Sequence, residues 1–246
     1  MCPLCPDRAL TSGGASETIP FILQFCLIDA RLKSARNTVE RRRVGIVLFE
    51  NIEVLDFCGP FEVFSVTRLR EEKRREEPSP FEVLLVAQHP GPVTTAGDMK
   101  VIPHYTFERC PRLDILVVPG GWGTRKELNN PIMLDWLRAR AAEVETLTAV
   151  CTGSMLLGFA GLLNGLRATT HWRSLDWMRG SFPSVTVEYG QHVVEDGRVL
   201  TSAGISAGID MALKVVARSF GEEIARATAR HMEYPYPDSN ARRIHL

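Results

Sequence analysis

Hydrophobic residues in this chain fall into short runs, separated by longer segments with helical spacing. Val44 to Phe49 is a continuous apolar run, which is typical of a strand buried on both faces of a sheet. Further strands are predicted over Phe81 to Ala87, Leu113 to Val118 and Leu147 to Val150, with a short one around Arg167 to Thr170.

Helices are predicted between and after these strands. Gly59-Pro60 is expected to start the first helix, because proline is tolerated in the first helical turn. Two more are predicted over Pro131 to Ala142 and Ser154 to Gly161. Ile209 to Phe220 and Glu222 to Met232 are predicted as the closing helices.

Two hairpins are predicted at Gly97-Asp98 and Asp196-Gly197, where a turn pair is flanked by short strands. Elsewhere strands and helices alternate, which predicts an α/β fold with a mainly parallel sheet and helices on both faces. In such sheets the functional site lies at the carboxyl ends of the strands. Residues that directly follow strands are therefore the candidates for chemistry.

The charge balance argues against general electrostatic partners. The 246 residues include 29 Lys and Arg and 29 Asp and Glu, so the formal net charge is +0. Such a chain has no overall attraction for nucleic acid or an anionic membrane. No apolar run approaches the roughly 20 residues of a membrane span. The 6 cysteines are scattered, which favours a reducing cytoplasm over a disulfide framework.

Residues 1–42 differ from the rest and are predicted to be an extension, partly disordered or irregular, before a single domain over residues 43–246. Cys2 and Cys5 form a C-x-x-C pair, but the second ligand pair of a zinc site is missing from the sequence. Ile19 to Ile28 lacks the basic segment that precedes the core of an export signal. We therefore expect a cytoplasmic protein.

Cys151 is the strongest candidate for a reactive residue. It lies at the turn between a predicted strand and a predicted helix, and Gly153 lets the chain fold back there. Unpaired N–H groups and the dipole of a helix N-terminus favour the thiolate, which is the reactive form. Free cysteine is also often buried as a structural residue, so the local pattern leaves both interpretations open.

Two other strand ends carry candidate groups. Pro119 to Gly123 follows a buried strand, and its glycines allow a backbone N–H to point at a bound group. A glycine pair of this kind is more often a structural turn without a binding role. Asp56 follows the first strand, and Glu62 lies in the next helix. If they have no functional role, Asp56 is a cap or turn residue and Glu62 is a solvated helix position. Carboxylate, glycine turn and cysteine thus arise at three strand ends.

The ordered set of motifs resembles the DJ-1/PfpI (ThiJ/PfpI) superfamily, within the class I glutamine amidotransferase-like folds. The motifs are Leu55 to Phe64, Val118 to Gly121, Ala149 to Gly153, Leu162 to Trp172 and Thr201 to Asp210. This resemblance covers about residues 44–236 and implies a flavodoxin-like three-layer α/β/α sandwich with a cysteine nucleophile elbow.

Within that superfamily the chain looks most like the isonitrile hydratase (cyclohexyl-isocyanide hydratase) branch. The protease- and chaperone-like branch usually has histidine directly after the cysteine, whereas Thr152 stands here. The resemblance implies that Cys151 attacks an isonitrile to form a thioimidate, with Asp56 as acid/base partner. It also implies that Thr152 and the Gly121 N–H stabilise developing charge. Such an enzyme is a lyase that needs no cofactor or metal.

Four further residues are possible pocket residues: Glu62, His171, Asp210 and Trp122. A lone histidine is more often structural, Asp210 also suits a charge role at a helix N-terminus, and packing is the default role of tryptophan.

Similar sequences also occur in the ligand domains of AraC-like regulators, which continue into a helix-turn-helix module. This chain ends at Leu246, so we expect no such module and no nucleic-acid partner. We expect a small-molecule substrate and, as is common in the superfamily, a homodimer. Two alternative functions remain: a non-enzymatic ligand or redox sensor, and a glyoxalase- or deglycase-like activity.

Overall fold

A central sheet dominates the computed structural model, which describes residues 40–244. In chain order the strands are β1 (Arg42–Leu48), β2 (Phe81–Ala87), β3 (Val93–Thr94), β4 (Lys100–Val101), β5 (Tyr105–Thr106), β6 (Ile115–Val118), β7 (Thr146–Val150), β8 (Arg167–Ala168), β9 (Thr186–Val187), β10 (Val193–Asp196) and β11 (Val199–Ser202). The helices are α1 (Val54–Val66), α2 (Thr124–Glu127), α3 (Pro131–Glu143), α4 (Gly153–Phe159), α5 (Leu175–Ser181), α6 (Ala207–Phe220) and α7 (Glu222–His231).

The main sheet has seven strands in the order β10-β11-β7-β6-β1-β2-β5. All neighbours pair in parallel except β10 and β11, which form an antiparallel hairpin. Because β1, β6 and β7 are adjacent and parallel, their carboxyl ends open onto one edge of the sheet. The predicted α/β fold with a mainly parallel sheet is confirmed.

The central strands form where the continuous apolar runs predicted them. Val44 and Ile46 in β1 are completely buried, as are Ile115 and Val117 in β6. Burial on both faces explains the absence of polar alternation in these runs. Both predicted hairpins are confirmed, since β3 pairs antiparallel with β4 and β10 with β11.

The first helix begins earlier than predicted. Helix α1 starts at Val54, so Pro60 lies inside it instead of in its first turn. Proline has no N–H to donate to the carbonyl four residues earlier, and that carbonyl belongs to Asp56. The helix continues because Phe57, Gly59 and Pro60 are buried. A Cβ on Gly59 would lie 3.0 Å from Cγ1 of Ile209, so the glycine permits close packing of α1 on α6.

Several short elements were not predicted from the sequence. Helices α2 and α5 and strands β5 and β9 show neither a continuous apolar run nor a clear periodicity in the sequence.

The predicted extension over residues 1–42 falls outside the described residues except at its end, where Arg42 already belongs to β1. The interpretations of Cys2, Cys5 and the segment Ile19 to Ile28 also concern residues outside the described part. Across residues 40–244, every helix is too short or too polar to cross a membrane.

Candidate active site

Cys151 sits in a strained turn at the carboxyl end of β7. Its φ of 57° lies in the left-handed region that residues with a side chain rarely adopt. The surrounding chain holds it there: its N–H donates to the carbonyl of Ser202 at 3.2 Å, and its carbonyl accepts from the hydroxyls of Ser154 and Thr170, both at 2.9 Å. Strain of this kind clusters at functional sites, and it supports the predicted nucleophile elbow.

Gly153 contributes to this turn through close approach. A Cβ at this position would lie 2.0 Å from the carbonyl oxygen of Val118 and 2.7 Å from that of Pro119. From the sequence, this glycine was expected to let the chain fold back at the turn. The structure gives the unusual backbone angle to Cys151 itself, while Gly153 lets α4 begin directly against the end of β6.

Asp56 is a completely buried carboxyl in the first turn of α1. Its Oδ2 accepts a hydrogen bond from the N–H of Gly120 at 3.0 Å, whereas its Oδ1 has no hydrogen-bond partner among residues 40–244. Burial raises the pKa of Asp56 to about 8, against the opposing effects of the Gly120 N–H and the Cys151 thiol. Asp56 is therefore mainly protonated at neutral pH.

Burial also raises the pKa of the Cys151 thiol well above its usual value, and Asp56 raises it further. The backbone N–H and the hydroxyl of Thr152 act in the opposite direction but do not dominate. The expectation that the helix N-terminus would favour a thiolate is therefore wrong. Helix α4 spans only Gly153–Phe159, and desolvation of the nearly enclosed sulfur is the largest influence on its pKa. The site presents a thiol beside a carboxylic acid.

Thr152 and Gly121 are joined to each other. The Gly121 N–H donates to Oγ1 of Thr152 at 3.0 Å, and the hydroxyl of Thr124 lies 3.2 Å from the same oxygen. The Gly121 N–H, predicted as a donor to developing charge, is thus already used inside the loop. Gly120 supplies the N–H that reaches the reactive pair, through Asp56.

His171 and Gly204 form the other side of the site. A Cβ on Gly204 would lie 2.7 Å from Sγ of Cys151 and 2.8 Å from Cδ2 of His171, so the thiol and the imidazole flank the same backbone position. Burial, and then the charges of Arg173 and Arg242, lower the pKa of His171. A neutral imidazole therefore lies beside the sulfur at neutral pH.

Asp210 belongs to a different cluster. It lies in the first turn of α6. It accepts a hydrogen bond from the Tyr234 hydroxyl at 2.8 Å and forms an ion pair with Arg243 at 2.6 Å. Nε2 of His192 is 2.9 Å from its Oδ2. Burial acts to raise the pKa of Asp210, but His192, Tyr234 and Arg243 together lower it. Asp210 thus anchors the C-terminal segment, and it lines a cavity of about 370 Å³ whose lining does not include Cys151 or Asp56. Its role as a pocket residue stays a prediction.

The remaining predicted pocket residues lie on the surface. Glu62 is exposed on α1, because the six positions that separate it from Asp56 turn its side chain to another face of the helix. Its solvated interpretation is the correct one. Trp122 is 71% exposed, next to Gly121, and the guanidinium of Arg125 stacks 3.8 Å from the centre of its ring. It is neither a core residue nor an enclosed wall.

Sequence reasoning missed three residues that touch this site. Gly120 and Gly204 stand inside motifs that were recognised, so their closeness to Asp56 and Cys151 had a signal in the sequence. Thr170, which holds the Cys151 carbonyl, likewise stands in the recognised motif Leu162 to Trp172. Across the described part of the chain, His, Cys, Asp and Glu side chains do not group in threes in a way that would hold a metal ion.

Known proteins share this arrangement of sequence and fold. The chain is 36% identical over 193 residues to an isonitrile hydratase from Pseudomonas putida, covering 78% of each protein. It is 36% identical over 136 residues to the HTH-type transcriptional regulator CdhR from Pseudomonas aeruginosa, covering 55% of this chain and 40% of the regulator.

Among solved structures, a ThiJ/PfpI family protein from Pseudomonas syringae superimposes with a TM-score of 0.70 at 31% identity, over 84% of this chain and 82% of that one. The sequence model of the DJ-1/PfpI family matches residues 42–218, which include every residue of the thiol and carboxyl pair. The chain therefore belongs to the DJ-1/PfpI family.

Proposed function

We propose that this protein is a cysteine-dependent hydratase that adds water to an isonitrile and releases an N-substituted formamide. The observation that carries the proposal is the protonated carboxyl of Asp56 beside the buried thiol of Cys151. The similarity to an isonitrile hydratase supports the same chemistry.

The first step adds the thiol across the terminal carbon of the isonitrile. Asp56 donates its proton to that carbon while the sulfur of Cys151 bonds to it, and the carboxyl recovers a proton from the thiol. The carbon thus gains one hydrogen and one sulfur, which gives a thioimidate on Cys151. A carboxyl with a pKa of about 8 suits this role, because it holds a proton at neutral pH and releases it readily.

The second step hydrolyses this intermediate. Asp56 donates the proton it recovered to the thioimidate nitrogen and accepts one from water as the oxygen attacks the thioimidate carbon. The carbon–sulfur bond then breaks, and the remaining hydroxyl proton passes to the sulfur, which releases the formamide and returns the Cys151 thiol. The net reaction consumes one isonitrile and one water. Oδ1 of Asp56 has no hydrogen-bond partner in the described part of the chain, so it is the oxygen available for these transfers, whereas Oδ2 accepts the N–H of Gly120.

The site favours this chemistry over redox sensing. Peroxide reacts with the thiolate, and sensor cysteines combine a low pKa with solvent access. Cys151 is 6% exposed, and burial raises its pKa. A sensor role would require a second state in which this thiol is uncovered.

The direct test is turnover of a panel of alkyl and aryl isonitriles, with the formyl proton of the product followed by NMR. Wild-type protein is expected to yield formamides. Cys151→Ala is expected to abolish turnover, and Asp56→Asn to lower it by at least about a hundredfold, since general acid–base catalysis contributes that much.

Cys110→Ala is the matched control, because it removes another buried thiol whose nearest hydrogen-bond partner is Pro111. It should retain wild-type turnover. Methylglyoxal is assayed in parallel: Cys151-dependent turnover of methylglyoxal without formamide production would replace the proposal with a glyoxalase-like activity. Isonitriles left untouched by wild-type protein would refute it.

A further inference from the structure

Two arginines form a positively charged corner beside the candidate active site. Arg173 and Arg242 both act on His171, whose pKa their charges help to lower. Neither guanidinium forms an ion pair with a carboxylate of residues 40–244, although arginines elsewhere in this surface are commonly paired. We call these two residues the cationic corner.

Arg242 is rigidly held. Its Nε donates to the carbonyl of Tyr189 at 2.7 Å, and its Nη2 donates to Oγ1 of Thr169 at 2.6 Å and to the carbonyl of Thr170 at 3.2 Å. The residue is partly buried, and burial lowers its pKa. One edge of the guanidinium is thus occupied by neutral oxygens, while Nη1 makes no hydrogen bond within the described residues.

Arg173 lies on the outer side of the corner. Its guanidinium stacks 4.8 Å from the centre of the Trp172 ring, next to a surface cavity of about 400 Å³. That cavity is lined by Trp172, Arg173, Leu175, Asp176 and Tyr189. The carboxylate of Asp176 is paired with Arg179 at 3.0 Å and accepts a hydrogen bond from the Tyr189 hydroxyl at 2.8 Å.

The corner is tied directly to the reactive sulfur. Thr170, whose carbonyl binds Arg242, donates its hydroxyl to the carbonyl of Cys151. His171, the next residue, shares the Gly204 contact with Sγ. The nearest acid on the other side of the sulfur is Asp56, which is protonated at neutral pH, with Glu53 beyond it. Thr170 and His171 thus connect the cationic corner to the surroundings of Cys151.

We propose that Arg173 and Arg242 are specificity-determining residues that bind a carboxylate on the substrate. Under the proposed function, the substrate class is isonitriles that carry a carboxylate close to the isonitrile group. A planar guanidinium with free donors suits this anion, and charge-assisted hydrogen bonds of this type are the strong ones. The aromatic walls and the cavity beside Arg173 accommodate the organic part.

The first test uses alkylation and does not depend on isonitrile turnover. Iodoacetate and iodoacetamide both alkylate a thiol by forming a sulfur–carbon bond with loss of iodide, and they differ mainly in charge. The rates at Cys151 and Cys58 are followed by peptide mass spectrometry. The ratio of the iodoacetate rate to the iodoacetamide rate is expected to be roughly tenfold higher at Cys151 than at Cys58. A tenfold difference corresponds to one charge-assisted contact.

Arg173→Ala and Arg242→Gln are expected to lower that ratio toward the value at Cys58. Each ratio compares two reagents on the same thiol in the same protein, so changes in folding or thiol pKa cancel. Arg226→Ala, an exposed arginine paired with Glu222 on α7, is the control and should leave the ratio unchanged. Equal ratios at Cys151 and Cys58, or a high ratio that survives both substitutions, would overturn the proposal.

The second test compares isocyanoacetate with its neutral methyl ester as substrates. Wild-type kcat/KM is expected to favour the anion by roughly tenfold, and Arg173→Ala and Arg242→Gln should remove that preference through KM. A preference for the ester would contradict the assigned substrate class. If neither compound is hydrated while the alkylation ratios behave as expected, the isonitrile reaction fails and the anion-binding corner stands.

Discussion

At the scale of single residues, the pairing of Cys151 with Asp56 defines the chemistry of this site. Both groups are nearly or completely buried, and both pKa values are raised, so neither is ionised at neutral pH. This is the reverse of a thiolate activated by a neighbouring cation. It suits addition of a thiol to a substrate that must also be protonated on carbon.

The ionisation of Asp56 predicts the pH dependence of turnover. Because the acid form donates the first proton, kcat/KM should be constant at lower pH and fall as the pH rises through about 8. Initial rates of formamide production over about pH 6 to 9.5 measure this directly. A rate that instead rises through this range would mean that thiolate attack is limiting and that Asp56 is not the acid.

The sequence identified these two residues as candidates but gave the ionisation of Cys151 incorrectly. Cys151 was recognisable from the turn between a buried strand and Gly153, and Asp56 from its place after the first strand. Their pKa values depend on desolvation by residues far away in the chain, such as the loop that brings Gly120 to Asp56 across 64 positions. Local pattern carries no information on that burial.

At the scale of elements, the site depends on how tightly β6 and α4 meet. The sequence predicted the central strands from continuous apolar runs and the longer helices from their helical spacing. It did not predict α2, although Thr124 from this short helix supports Thr152 and through it the Gly121 turn. Four residues have no measurable period, and only the tertiary contact explains why they are helical.

The junction of β6 and α4 predicts that Gly153→Ala is severely destabilising. The new Cβ would overlap the carbonyl oxygens of Val118 and Pro119, which belong to backbone that cannot shift without breaking the sheet. We expect a loss of about 3 kcal/mol or more in the free energy of unfolding, at the upper end for overpacking. Urea unfolding followed by circular dichroism provides the measurement.

Gly180→Ala is the matched control for that substitution. Gly180 lies within α5 and its added Cβ would have no atom within 4 Å, so alanine should be neutral or stabilising by about 0.5 kcal/mol. Wild-type stability in Gly153→Ala would show that the described elbow geometry is not the one the protein adopts.

At the scale of the whole molecule, the site is assembled from segments that are distant in sequence. The sheet order brings β1, β6 and β7 side by side, and the segment after α7 adds Arg242 from the far end of the chain. The sequence could predict the alternation of elements and hence the fold class. The role of residues 233–244 depends on contacts with Asp210, Thr169 and Thr170, and no local sequence pattern predicts these contacts. The homodimer and the cytoplasmic location stay predictions.

The buried carboxyl of Asp56 should make the free energy of unfolding of the whole domain depend on pH. Its pKa is 3.8 as a free side chain and about 8 in the folded protein, so between these values the folded state binds one proton more than the unfolded state. Stability must then fall as the pH rises through this window and level off above about 8. The total loss is on the order of 5 kcal/mol, at about 1.4 kcal/mol for each pKa unit.

Asp56→Asn has no ionisable group there, so it should be more stable than wild type near pH 8 and lose that advantage near pH 5. Urea unfolding of both proteins across this range tests the linkage, with the exposed Asp98→Asn as the control that should follow the wild-type curve. Parallel curves for wild type and Asp56→Asn would mean that Asp56 is ionised in the folded protein, and the acid role proposed for it would fall with that result.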